Sequence, residues 1–220
     1  MEPYAARNFY VSGAGEGNGS SSGAVDKEVL WLSERQRNEP AVRGDRAQAG
    51  PRKPQKTLSD LFHETLKDIY FAENKIIKTL PKMAKAAQSR QLASAFNKHL
   101  RETQGQVKRL DQVFRIIGKP PRGKPCEAIN GITDEGAEIM KDFKGMPALD
   151  AGLLAAAQAV EHYEISRYGT LRTWAEELGM PDAAKLLQAT LDEEEATDQT
   201  LTKMATSVIN LEAEEERQAA

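Results

Sequence analysis

The chain has 220 residues, of which 40% are hydrophobic and 29% charged, and no apolar run approaches the roughly 20 residues that a membrane-spanning helix needs. Its net charge of −3 and pI of about 5.8 disfavour a strongly electrostatic nucleic-acid binder. A single cysteine, Cys126, excludes a disulfide framework or a cysteine-rich metal site, and three histidines exclude a histidine-rich one. Any metal must therefore be held mainly by oxygen, and a reducing, cytoplasmic compartment is expected.

Residues 1–56 hold seven of the 16 glycines and four of the ten prolines. Such a segment buries too little apolar surface to offset an ordering cost of roughly 1–2 kcal/mol per residue, so a disordered extension is expected. Within it, 25–36 has the spacing of a short amphipathic helix. Its nine Lys and Arg against seven Asp and Glu make a feeble nucleic-acid anchor.

From Thr57 onward apolar residues recur at three- and four-residue spacing, and strand signals vanish. A first helix is expected over 58–89, capped by Thr57 or Ser59 and kinked at Pro81. A second covers 91–117 and stops at Gly118. The short connection at Ser89 makes these two an antiparallel hairpin. A long connection over 119–147 contains a short helix. A third long helix spans 149–178. Gly179 and Asp182 stop and restart the chain, and a fourth helix runs over 182–209. Residues 211–220 read as a solvated acidic tail. Two hairpins joined by one long crossover give an all-α, ferritin-like four-helix bundle over 57–210.

Each long helix carries an acid on its apolar stripe: Glu73, Glu102, Glu164 and Glu194. Counted from the two hairpin turns, their depths differ by about one helical turn or less at ~1.5 Å per residue. Four carboxylates can thus meet in one layer. Buried without partners they would cost several kcal/mol each and repel one another. Lys and Arg are largely missing from the neighbouring stripe positions, so a pair of metal ions is the expected remedy. Oxygen-rich ligation suits iron or manganese. His99, Gln106, Glu161 and Asp198 lie one turn from these acids and are the next candidates, as ligands or as groups that orient them. Tyr70, Tyr163 and Tyr168 could donate to carboxylate oxygens. His162 faces away, His63 is too distant, and Cys126 reads as a small buried apolar group. The two halves are weakly alike, with Glu73 matching Glu164 and Glu102 matching Glu194.

These stretches carry a resemblance. LSDLFHETLKDIYFAENKIIKTLPKMAKAA, HLRETQGQVKRLDQVF, AAAQAVEHYEISRYGTLRTWAEELG and LDEEEATDQTLTKMA resemble the YciE/YciF stress-protein family of ferritin-like bundles. The resemblance implies a homodimer, a rubrerythrin-like di-metal site and a link to bacterial stress responses. One departure stands out. The wider ferritin-like pattern expects Glu-x-x-His on the second and fourth helices. Here Glu102 is followed at three by Gly105 and Glu194 by Thr197, leaving Gln106 and Asp198 at four. That weakens histidine ligation without removing the carboxylates. Two readings follow: a di-iron or di-manganese protein of stress protection, or a non-catalytic helical dimer or interaction module with a vestigial metal site.

Overall fold

The computed structural model describes residues 55–219, so the expectations for the extension before them lie outside the described residues. Helix α1 spans Leu58–Ala86. The Thr57 hydroxyl accepts the Asp60 N–H at 3.2 Å, and the Asp60 carboxylate accepts the Thr57 N–H at 2.8 Å, closing a reciprocal cap. The helix continues through Pro81, whose ring faces solvent, where water can meet the carbonyl that loses its donor.

Ser89 caps α2, Arg90–Ile116. Asp150 fastens this hairpin turn from across the bundle, accepting the Gln88 and Ser89 N–H groups at 2.9 and 2.6 Å. Gly118, at φ 65°, ends α2 in the left-handed region that L side chains avoid. The crossover then lies against α1. Lys124 N–H donates to Lys67 O at 3.1 Å, and a Cβ on Gly123 would meet Phe71 Cβ at 3.1 Å, so only a bare backbone fits comfortably there.

Helix α3, Glu127–Asp142, packs on α4, Leu149–Glu177. Gly152 permits that approach, since a Cβ on it would stand 2.7 Å from Ile139 Cγ2. Gly179, at φ 71°, turns the chain into α5, Pro181–Met204, with proline at its first position, where no amide donor is missed. The hairpins α1/α2 and α4/α5 pack together, α1 on α4 and α2 on α5. The fold is therefore the expected all-α, ferritin-like bundle. Its core includes Phe62, Leu66, Phe96, Phe114, Leu153, Leu171 and Leu187.

The C-terminal end differs from expectation. The chain widens into a π-turn over Ala205–Ile209 and then continues as α6, Asn210–Ala219. No glycine or proline interrupts 204–219, and its Ala, Glu, Arg and Gln are good helix formers, so the acidic tail carries on as helix.

Candidate metal centre

The apolar stripes turn polar at one level of the bundle. Glu73 on α1, His99 and Gln106 on α2, Glu161 and Glu164 on α4, and Glu194 on α5 are all buried. Helical spacing explains each set. His99, Thr103, Gln106 and Leu110 form one buried line on α2, and Leu154, Ala157, Glu161, Glu164, Tyr168 and Leu171 form one on α4.

His99, Glu161, Glu164 and Glu194 converge. One ligand atom from each lies within 4.8 Å of all the others, a buried His/Glu cluster able to chelate a divalent metal ion. His99 Nδ1 is 3.1 Å from Glu161 Oε1, and His99 Nε2 is 3.7 Å from Glu194 Oε2. Glu73 adjoins the cluster through Glu164, and Tyr168 donates its hydroxyl to Glu73 Oε1.

The electrostatics of this layer are unfavourable without a cation. Burial, then the charges of Glu73 and Glu194, pushes the Glu164 carboxyl far above the usual carboxylate range. Burial does the same to Glu194, with the charge of Glu161 next, and to Glu73, with the charge of Glu194 next. Glu161 is pushed up to about 8, mainly by burial. Apart from His99 Nδ1 beside Glu161 Oε1 and contacts among the carboxyls themselves, no hydrogen-bonding group meets the buried oxygens of Glu161, Glu164 and Glu194, and Glu73 Oε2, Gln106 Oε1 and His99 Nε2 are also buried without a hydrogen-bond partner. Folded proteins rarely strand so many buried polar atoms, and here they surround one point. A hard or borderline cation fits this donor set of carboxylates and one imidazole.

Of the remaining sequence candidates, Glu102 and Asp198 sit at the rim, while Gln106 is fully buried. Glu102 is paired with Lys98, its side chain 26% exposed, while its Oε2 stays buried and unpartnered. No Lys or Arg is needed on the stripe for this pair, since Lys98 reaches Glu102 from the exposed side of the same helix. Lys98 lies four residues earlier on the same helix, the spacing at which opposite charges meet. Asp198 is half-buried, within 3.2 Å of His162 Nε2 and accepting from Gln158 at 3.1 Å. His162 is 67% exposed, outside the cluster as expected. Gln106 points its amide nitrogen at Glu193, 3.2 Å away, which Arg109 also holds. Of the three tyrosines only Tyr168 serves the layer. Tyr163 contacts Cys126 Sγ at 3.2 Å, and Tyr70 stacks edge-on against Phe114. Three further polar side chains touch these residues or their neighbours: the buried Thr103 hydroxyl donates to His99 O, the buried Thr190 accepts from Arg109, and Gln158 donates to Asp198. The sequence reading missed them because a polar residue in a helix stripe is usually an edge position.

Comparison with known proteins places the chain in a family and agrees with its fold. Residues 57–214 match the family described as a domain of unknown function, DUF892. The chain is 46% identical over 161 residues to protein YciF of Escherichia coli strain K12, covering 72% of this chain and 96% of that protein. The chain belongs to the YciE/YciF (DUF892) family. This family lies within the ferritin-like superfamily. Among solved structures, the E. coli stress protein YciF superposes with a TM-score of 0.68 at 44% identity, covering 71% of this chain and 99% of that one. YcfI of Rhodopseudomonas palustris does so at 0.66 and 47%, covering 70% and 98%. A Xanthomonas campestris protein at 19% identity and TM-score 0.55, covering 73% of this chain and 98% of that one, shares the fold. None of the described helices is long and apolar enough to cross a membrane.

Proposed function

We propose that the chain is a di-metal carboxylate protein, holding iron or manganese, with a redox role in stress protection. The observation that carries this reading is the set of stranded oxygens on Glu161, Glu164 and Glu194 around His99. His99, Glu161, Glu164 and Glu194 would hold one cation between them. Glu73, beside Glu164, and the inward oxygen of Glu102 would complete a second position. Gln106, buried on the same line as His99, and Asp198, at the rim, would orient these groups. When bound, such metals supply one-electron redox chemistry and Lewis acidity. The residues' own part is to neutralise charge, exclude water and fix the ligands. Tyr168 restrains Glu73, and the apolar shell of Ile69, Phe96 and Leu191 keeps the site dry. The stress role draws on the likeness to the E. coli stress protein. The buried free Cys126 suits a reducing cytoplasm, and exposed Leu58, Leu61 and Ile116, at one end of the first hairpin, offer an apolar face to a second copy.

A second reading, a non-catalytic scaffold, is favoured by one observation: Lys98 draws Glu102 away from the cluster. Titration of chelator-treated protein with Fe(II) or Mn(II) separates the two. The metal reading expects about two ions per chain. A scaffold expects fewer than about one, with no gain in melting temperature.

A further inference from the structure

A buried cluster needs a route from solvent, and the cavities between α2 and α5 supply one. A narrow cavity of about 30 Å³ has His99 and Glu102 in its wall, beside Ala95, Lys98 and Thr200. It shares Ala95, Lys98 and Thr200 with a wider groove of about 330 Å³ that extends to Lys203 and Met204. The π-turn follows directly after Met204, and Ser207 of that turn lines the groove. Such wide turns inside helices recur at functional sites.

From this continuity we infer that the α2–α5 groove is the path by which a divalent cation reaches the cluster, and that Lys98 latches it shut through its ion pair with Glu102. This rests on the metal-binding reading above. The inner cavity has room for little more than a water or two, so a hydrated cation cannot pass while the side chains stay as they are. Lys98 and Glu102 are the groups best placed to yield. The Lys98 side chain is 62% exposed on a flexible four-carbon stem, and a surface pair at i, i+4 breaks easily. Glu102 is already half turned, with Oε1 on Lys98 and Oε2 buried without a partner. Release of Lys98 frees Glu102 to swing its carboxylate inward behind the arriving ion. The ammonium groups of Lys98 and Lys203 also repel a cation at the mouth, so the closed latch slows loading in both ways.

The test mixes metal-free, full-length protein with Mn(II) and follows loss of the free-ion electron paramagnetic resonance signal. Lys98→Met should speed uptake by about tenfold, well beyond Lys203→Met, which removes a charge but no latch. Thr200→Trp places a bulky side chain at an exposed position in the neck and should slow uptake at least about tenfold. All three variants should reach the wild-type endpoint. If melting shows that Thr200→Trp loses the fold, Thr200→Phe takes its place. Uptake by the plugged variant at the wild-type rate overturns the route. Lys98→Met no faster than Lys203→Met overturns the latch. A wild-type endpoint near zero is a different failure, since it removes the metal site itself.

Discussion

Replacing Glu164 and Glu194 together by Gln should reverse the order of stabilities between the metal-free and metal-loaded protein. Without metal at pH 8, the double variant should be more stable than wild type by about 1–4 kcal/mol, because it removes two buried acids that face other acids. Each new amide can also donate to an oxygen that has no donor, on Glu73 or on Glu161. With metal the advantage disappears. Wild type should gain about 2.7 kcal/mol at a free metal concentration 100 times the dissociation constant. The double variant should lose at least about 100-fold in affinity and gain little. Glu102→Gln is the informative control. It removes a surface ion pair with Lys98 and should change metal-free stability by less than about 1 kcal/mol. Urea unfolding with and without Mn(II) reads all three proteins. A double variant less stable than wild type without metal would mean that the protein itself, and not a cation, compensates those carboxylates.

Metal-free protein should also lose stability as pH rises from 5.5 to 8, the reverse of ordinary acid unfolding. Glu73, Glu161, Glu164 and Glu194 hold their protons in the folded state well above the pH at which the unfolded chain releases them. Between those limits the native state binds more protons than the unfolded one, so stability falls with pH. The contribution is fully present below about pH 4.5, declines upward, and for Glu161 is lost as pH passes about 8. Each proton retained by the folded cluster corresponds to about 1.4 kcal/mol per pH unit, so even one makes a difference of about 3–4 kcal/mol over this window. Asp60 and Glu64, shifted the other way, act below the window and at the surface. Metal should flatten the profile, because a bound cation displaces those protons, and its affinity should rise over the same range. Metal-free stability that is level or rising from pH 5.5 to 8 would show that the carboxyls are not held neutral.

The bundle was legible because long amphipathic helices repeat one signal many times. The stripe of Leu66, Ile69, Ala72 and Ile76, the cap at Ser89 and the terminators Gly118 and Gly179 each follow from local chemistry. The depth of the acids was legible too, since rise per residue is constant, and Glu73, Glu164 and Glu194 are buried as expected. Rotation about the helix axis was harder. Glu102 lies three residues after His99, about 60° round from the buried line through His99, Thr103 and Gln106. That offset takes it to the α2 rim, within reach of Lys98. The weak internal repeat pairs Glu102 with Glu194, yet on α2 it is His99 that reaches the cluster. Similarly, Glu161 and Asp198 both lie one turn from a core acid, but α4 turns Glu161 fully inward while α5 leaves Asp198 beside the exposed His162. Such offsets depend on how four helices are rotated against one another, which depends on packing across the whole core rather than on any single stripe.

The most direct measurement is a crystal structure of the Mn(II)- or Fe(II)-loaded protein with data collected at the absorption edge of the metal. Anomalous density should appear among His99, Glu161, Glu164 and Glu194, with a second peak toward Glu73 and Glu102. Loaded crystals with no anomalous density between these side chains, or with metal only at exposed acids such as Glu127 or Glu212, would contradict the account.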